Sequence, residues 1–134
     1  MIEQPDMYDV DVVARTVYGE ARGESQEGRI AVAKVIVNRW RHSGGSLESV
    51  CKKPKQFSCW NVDDPNYPII KDVTYADQVF LQCLSAVAVA LDLKAADPTK
   101  GSRHYHAPRV SPYWAVGHTP VVEIGGHVFY NDVG

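Results

Sequence analysis

The sequence predicts an α+β fold: a helical core with a small antiparallel β-sheet near the C-terminus. Apolar residues recur at helical spacing in three segments before residue 92, the character turns to β after Asp97-Pro98, and two adjacent glycines join two short apolar stretches near the end. Val10, Val13, Val17 and Ala21 lie on one face of a helix over 9–22, with Asp9 and Asp11 at its N-terminus and Gly23 as its stop. A second helix over 26–41 begins near Ser25 and ends before Gly44-Gly45. Its run from Ile30 to Val37 is apolar on nearly every side, which marks a buried central helix. β-Branched residues there would suit a strand, but length and polar flanks favour helix. A short helical turn is expected at 47–51.

Residues 52–73 carry three prolines with Asn61, Asp63 and Asp64, and read as a long loop of the kind that is usually functional. Thr74 followed by Asp77 resembles a capping box opening a third helix that runs to Leu91. Arg103–Ala107 reads as a strand. Val121–Ile124, Gly125-Gly126 and His127–Tyr130 read as a hairpin with a two-residue glycine turn.

The chain has 134 residues, the size of one domain, and 45% hydrophobic with 22% charged residues is ordinary globular composition, not that of a disordered or fibrous chain. No apolar run approaches the roughly 18 residues a membrane span needs, so stable membrane insertion is not expected. The N-terminal Met1–Asp6 is acidic and lacks a basic-then-apolar leader, so synthesis in the cytoplasm without a signal peptide is expected. A net charge of −2 argues against nucleic acid as a partner. Seven Lys/Arg and one acid between Arg29 and Lys55 nevertheless make a basic stretch, either a solvated face or a surface for an anionic polymer. Three cysteines, Cys51, Cys59 and Cys83, are expected to be reduced thiols; Cys51 and Cys59 are close enough in sequence to pair in an oxidising compartment.

Three groupings could carry chemistry. Glu20 lies where the first helix meets Gly23. The negative end of the helix dipole and burial beside Tyr18 would both raise its pKa, as a general acid requires, while Arg22 could oppose this by pairing with it. The alternative is a surface glutamate in a cap. Gln56-Phe57-Ser58-Cys59-Trp60-Asn61 combines aromatics with amides and hydroxyls, as a sugar site needs, or is a loop pinned to the core by Phe57 and Trp60. Cys59 as a nucleophile lacks any adjacent activating group. His104 and His106 share one face of a strand and could hold zinc with His127, although no recognised zinc spacing accompanies them; with Tyr105, Tyr113 and Trp114 they equally suit a glycan cleft.

Taken in order, Ala14-Arg15-Thr16-Val17-Tyr18-Gly19-Glu20-Ala21-Arg22-Gly23-Glu24, Glu27-Gly28, Ala31-Val32-Ala33, Val37-Asn38-Arg39, Gln56-Phe57-Ser58, Arg103-His104-Tyr105-His106-Ala107, Ser111-Pro112-Tyr113-Trp114-Ala115, Ile124-Gly125 and His127-Val128-Phe129-Tyr130 resemble the SleB/CwlJ-type cell-wall hydrolases. That family comprises spore cortex-lytic enzymes and related phage lysins. The resemblance covers nearly the whole chain and implies a single lysozyme-like catalytic domain acting on peptidoglycan glycan strands. It implies Glu20 as the catalytic acid of a lytic transglycosylase that cleaves the MurNAc–GlcNAc β-1,4 bond and leaves a 1,6-anhydro end.

On this reading Gln56, Phe57, Ser58, Trp60, Tyr105, His106 and Trp114 bind substrate, and no metal or cofactor takes part. A hydrolase would need a second carboxylate, for which Glu24 or Asp63 is available. A zinc amidase built on His104, His106 and His127, or a non-catalytic glycan-binding module, are the competing classes. With neither leader nor separate wall-binding domain in this sequence, the expected role is that of a monomeric phage endolysin, made in the cytoplasm, released by a holin and acting on the bacterial cell wall. The alternative is a bacterial housekeeping enzyme.

Overall fold

The computed structural model describes residues 3–134; Met1 and Ile2 of the acidic N-terminal stretch lie outside the described residues. Helix α1 spans Met7–Ala21. It starts ahead of the apolar periodicity because Asp6 caps it: the Asp6 carboxylate accepts from the Asp9 N–H, and Asp9 reciprocates at the Asp6 N–H. Helix α2, Gln26–Ser43, is capped by Ser25 and stops at Gly44, whose φ of 79° only glycine adopts freely. Helix α3, Leu47–Lys52, carries a Ser46/Ser49 capping box.

The expected loop over 52–73 is only partly a loop. It contains a 3₁₀ turn, Ser58–Trp60, and a further helix α4, Tyr67–Asp72, with Pro68 in the first turn, where its missing N–H removes no bond. Arg15 of α1 holds α4 in position: its guanidinium donates to the carbonyls of Ile70 (2.7 Å) and Val73 (2.8 Å) while Asp11 anchors it. The third predicted helix is α5, Gln78–Leu91, and its cap is Asp77, which accepts from the Phe80 N–H. Thr74 closes a separate tight turn, accepting from the Ala76 N–H, and so takes no part in the expected capping box.

Helix α2 runs through the centre. Val32, Ala33 and Ile36 join Val13, Val17, Phe80 and Val87 in the main core, whereas Ala31 and Val35 meet Ile124 and Phe129 of the sheet. That two-sided burial explains its lack of a polar face. Strands β1 (His104–His106), β2 (Val122–Ile124) and β3 (His127–Tyr130) form an antiparallel sheet in the order β1-β3-β2. Tyr105 pairs with Phe129, and Ile124 with His127 across the Gly125-Gly126 turn. Only the first of these turn glycines has positive φ (55°), as in a type II′ hairpin turn. The sheet is shorter at β1 than the expected Arg103–Ala107 strand.

Gly19 is fixed by close approach. A Cβ there would lie 2.7 Å from Cys59 Cβ and 2.9 Å from both Cys59 Sγ and Ile70 Cγ2. Gly19→Ala is therefore expected to push the 58–60 turn and α4 off α1, with a loss of about 1–3 kcal/mol of stability in a denaturant titration. An unchanged midpoint would show that the contact gives way without strain.

Candidate active site

Glu20 occupies the last turn of α1 and is half-buried. Its Oε1 accepts a 2.9 Å hydrogen bond from the Tyr105 hydroxyl on β1. Burial raises the Glu20 pKa above the ordinary glutamate value, against the opposing influence of Tyr105 and of the Cys59 thiol and N–H; the charge of Asp64 adds to the rise. Arg22 does not pair with it. That guanidinium donates to the Tyr18 carbonyl and to Asn66 Oδ1 (2.8 Å) and lies over the Tyr18 ring. Burial and the neighbouring Glu20 also push the Tyr105 phenol well above its usual range, so it remains a donor throughout the working pH range.

Because Tyr105 stabilises the charged carboxylate, Tyr105→Phe is expected to raise the Glu20 pKa further. The alkaline limb of the pH–rate profile should move upward, with activity at the optimum falling about tenfold as the carboxyl loses its fixed orientation. An unmoved limb would contradict the contact.

Glu20 opens into a cleft of about 430 Å³. Its walls bring together most of the residues singled out from the sequence: Gln56, Phe57 and Ser58 from the loop after α3, and Tyr105 and His106 from β1. Arg39, Arg109, Val110 and His127 complete it. Phe57 is only 3% exposed, and Arg39 lies over its ring at 5.1 Å, so its flat face is already covered. His106 Nδ1 must carry a proton to meet the Ala107 carbonyl at 2.7 Å, which leaves Nε2 to accept from the Tyr130 hydroxyl at 2.9 Å in the neutral ring.

Two expected sugar-binding aromatics lie elsewhere. The Trp60 indole N–H donates to Thr16 Oγ1 (2.8 Å) and its ring carries the Lys52 ammonium at 4.8 Å, so it pins the loop to α1 rather than lining the cleft. Trp114 packs its ring against His104, His106 and Tyr130 on the far side of β1. Arg39 and Arg109 are cleft residues that sequence reasoning did not assign to the site. The available signal for Arg39 was its place in the Val37-Asn38-Arg39 segment, at the end of a helix that is otherwise largely buried.

The candidates for a second carboxylate are not beside Glu20 in the cleft. Glu24 reaches the hairpin turn, where its Oε1 accepts from the Gly126 N–H at 2.8 Å, and side chains at 125 or 126 would collide with it. Asp63 is exposed and outside the lining. Among the described residues Glu20 is the only carboxylate in the cleft wall. The three histidines do not converge either. His104 and His106 face Trp114, whereas His127 packs against Tyr105 and Phe129 on the other side of the sheet. Among the described residues no three His, Cys, Asp or Glu side chains come close enough to hold a metal ion. All three thiols are buried, and burial holds Cys51 up at about 12 and Cys83 at about 11, with Cys59 raised as well. None is a thiolate nucleophile near neutral pH.

This sequence and fold have relatives. The model of the Cell Wall Hydrolase family matches residues 23–130. The chain belongs to that family. As a cell wall hydrolase it is 31% identical to the spore cortex-lytic enzyme of Halalkalibacterium halodurans over 92% of this chain and 34% of the relative. It is likewise 31% identical to that of Bacillus subtilis, over 90% and 37% respectively. The chain thus spans about a third of the length of the curated relatives it matches.

Among solved structures, the catalytic domain of the Bacillus cereus SleB protein superimposes with a TM-score of 0.77 at 26% identity, covering 96% of this chain and 93% of that one. The catalytic domain of the germination-specific lytic transglycosylase SleB from Bacillus anthracis gives 0.73 at 25% identity, covering 97% and 99%. The α+β, lysozyme-like fold expected from the sequence is the fold of these domains.

Proposed function

We propose that this cell wall hydrolase cleaves the MurNAc–GlcNAc β-1,4 bond of peptidoglycan as a lytic transglycosylase, with Glu20 as its single acid and base. The observation that carries the reading is a lone carboxyl, half-buried in an open cleft, whose pKa is raised and whose one oxygen is tied to Tyr105. A protonated Glu20 donates its proton to the glycosidic oxygen as the C1–O bond breaks. The resulting carboxylate faces the developing oxocarbenium charge. It then takes the proton of the muramyl C6 hydroxyl as that oxygen bonds to C1, which restores the acid and closes the 1,6-anhydro ring. No water is consumed, so no second carboxylate is needed to activate one.

On this reading exposed Gln56 and Ser58, with Arg39 and Arg109, supply polar contacts to the sugars. One structural neighbour, SleB from Bacillus anthracis, is a germination-specific lytic transglycosylase, the same reaction class. Mass spectrometry of solubilised muropeptides tests the proposal. Anhydro-muramyl ends are expected; reducing ends would indicate a hydrolase, and free stem peptides an amidase. We further propose action at the wall as a monomer in the manner of a phage endolysin. Cytoplasmic expression should lyse cells only when a holin is co-expressed; lysis without one would contradict that role.

A further inference from the structure

The basic stretch between Arg29 and Lys55 divides in the fold. Arg29 and Lys34 are buried structural groups, the latter donating to the Ala90 carbonyl near the end of α5. Arg39 and Lys53, by contrast, turn toward a second cavity of about 210 Å³, which also takes in His42, Gln56, Arg103 and His104. Arg39 and Gln56 line both this cavity and the Glu20 cleft, so the two spaces are neighbours across one shared wall.

The charged side chains around this side cavity are all cationic, and Gly134 also lines it. Among the described residues no carboxylate, side-chain or C-terminal, lies within ion-pair distance of Arg39, Lys53 or Arg103. Arg39 donates instead to neutral acceptors, the Arg103 carbonyl at 2.6 Å and Gln56 Oε1 at 3.0 Å. Glu20 is the carboxylate whose charge reaches Arg39 from the neighbouring cleft, without pairing with it. Two guanidinium groups and an ammonium with no carboxylate in ion-pair range repel one another unless an anion joins them. His104 is consistent with that field: burial together with Arg39 and Arg103 brings its pKa down to about 4, and its buried Nδ1 has no partner.

From this juxtaposition we propose that the side cavity is a subsite for a carboxylate of the peptide stem carried by the muramyl residue. This rests on the proposed glycosidic activity. In a peptidoglycan strand the stem leaves the sugar through the lactyl ether at C3, to the side of the glycan track. A cationic pocket sharing a wall with the glycan cleft is suited to an acidic appendage of that kind. Arg39 and Gln56 would read the junction between sugar and stem, while Lys53 and Arg103 hold the carboxylate by charge-assisted hydrogen bonds.

The test compares kcat/KM for glycosidic cleavage on three substrates: peptide-bearing strands, the same strands with stem carboxyls amidated, and strands stripped of their stems. Wild type is expected to prefer the first by about tenfold, through a lower KM. The double variant Lys53→Gln/Arg103→Gln should reduce that preference to within about twofold, and high salt should do the same to wild type. Lys53 is exposed at the end of α3, so Lys53→Gln alone supplies a folded variant if the double substitution unfolds. Equal cleavage of all three substrates, or a preference undiminished in the folded variant, would overturn the subsite. So would a preference that survives amidation and disappears only when phosphate polymers are stripped from the strands. If wild type cleaves no glycosidic bond in any of the three, the glycosidic reading itself fails and takes this inference with it.

Discussion

Glu20→Gln is expected to lower wall-lytic activity by at least about 10²–10⁴-fold, the range for loss of a general acid. Glutamine keeps the volume and can still accept from the Tyr105 hydroxyl, but it has no proton to give. The loss should lie toward the upper end, because the proposed cycle uses the same carboxyl twice. Binding should survive, so the variant should still sediment with purified walls. Stability provides an internal control. A carboxyl whose folded-state pKa is raised binds its proton more tightly in the folded than in the unfolded chain, so it favours folding at low pH and that contribution is lost as pH rises through the folded pKa. Above that pH the neutral glutamine should leave the protein no less stable than wild type. Glu24→Gln is the companion: its Oε1 can still accept from the Gly126 N–H, and most activity should remain. Loss of activity in Glu24→Gln alone would point to a two-carboxylate hydrolase.

Phe129→Ala should produce the largest change in stability, about 3–5 kcal/mol. Phe129 is completely buried in the middle strand, pairs with Tyr105 on one side and Val122 on the other, and packs with Ala31, Val35 and Ile124 in the core between sheet and α2. Its ring centroid is 5.7 Å from that of Tyr105. A domain stable by only about 5–15 kcal/mol would lose much of its margin, and the donor to Glu20 would lose its support. Denaturant unfolding measures the first effect, and activity well below the melting range measures the second. Phe129→Leu should lose less of each. A loss under about 1 kcal/mol for the alanine variant would show that the sheet is anchored elsewhere.

What the sequence made legible depended on whether the signal was local. The three long helices and the hairpin were readable because their periodicity, caps and glycine turn lie within a few residues of one another. Helix α4 was not, because six residues with a proline carry little periodicity and Arg15, more than fifty positions away, holds them. The same distinction runs through the site. Glu20, Gln56, Ser58 and Tyr105 were all identified from the sequence, and the fold gathers them in one cleft. The direction each aromatic faces was not, since it depends on tertiary partners: Trp60 turns to Thr16, Phe57 lies under Arg39, and Tyr105 spends its hydroxyl on Glu20. Glu24, suitable by type as a second carboxylate, is engaged by a turn a hundred residues later.

The central claim is that one half-buried carboxyl, its pKa raised by burial, carries the chemistry. Carbon-13 NMR titration of the Glu20 carboxyl, set beside the pH dependence of kcat/KM, tests it most directly. The expected result is a Glu20 midpoint above that of ordinary glutamates, coinciding with the alkaline limb of the rate profile. A midpoint at or below the ordinary value, or an alkaline limb that titrates independently of Glu20, would contradict it.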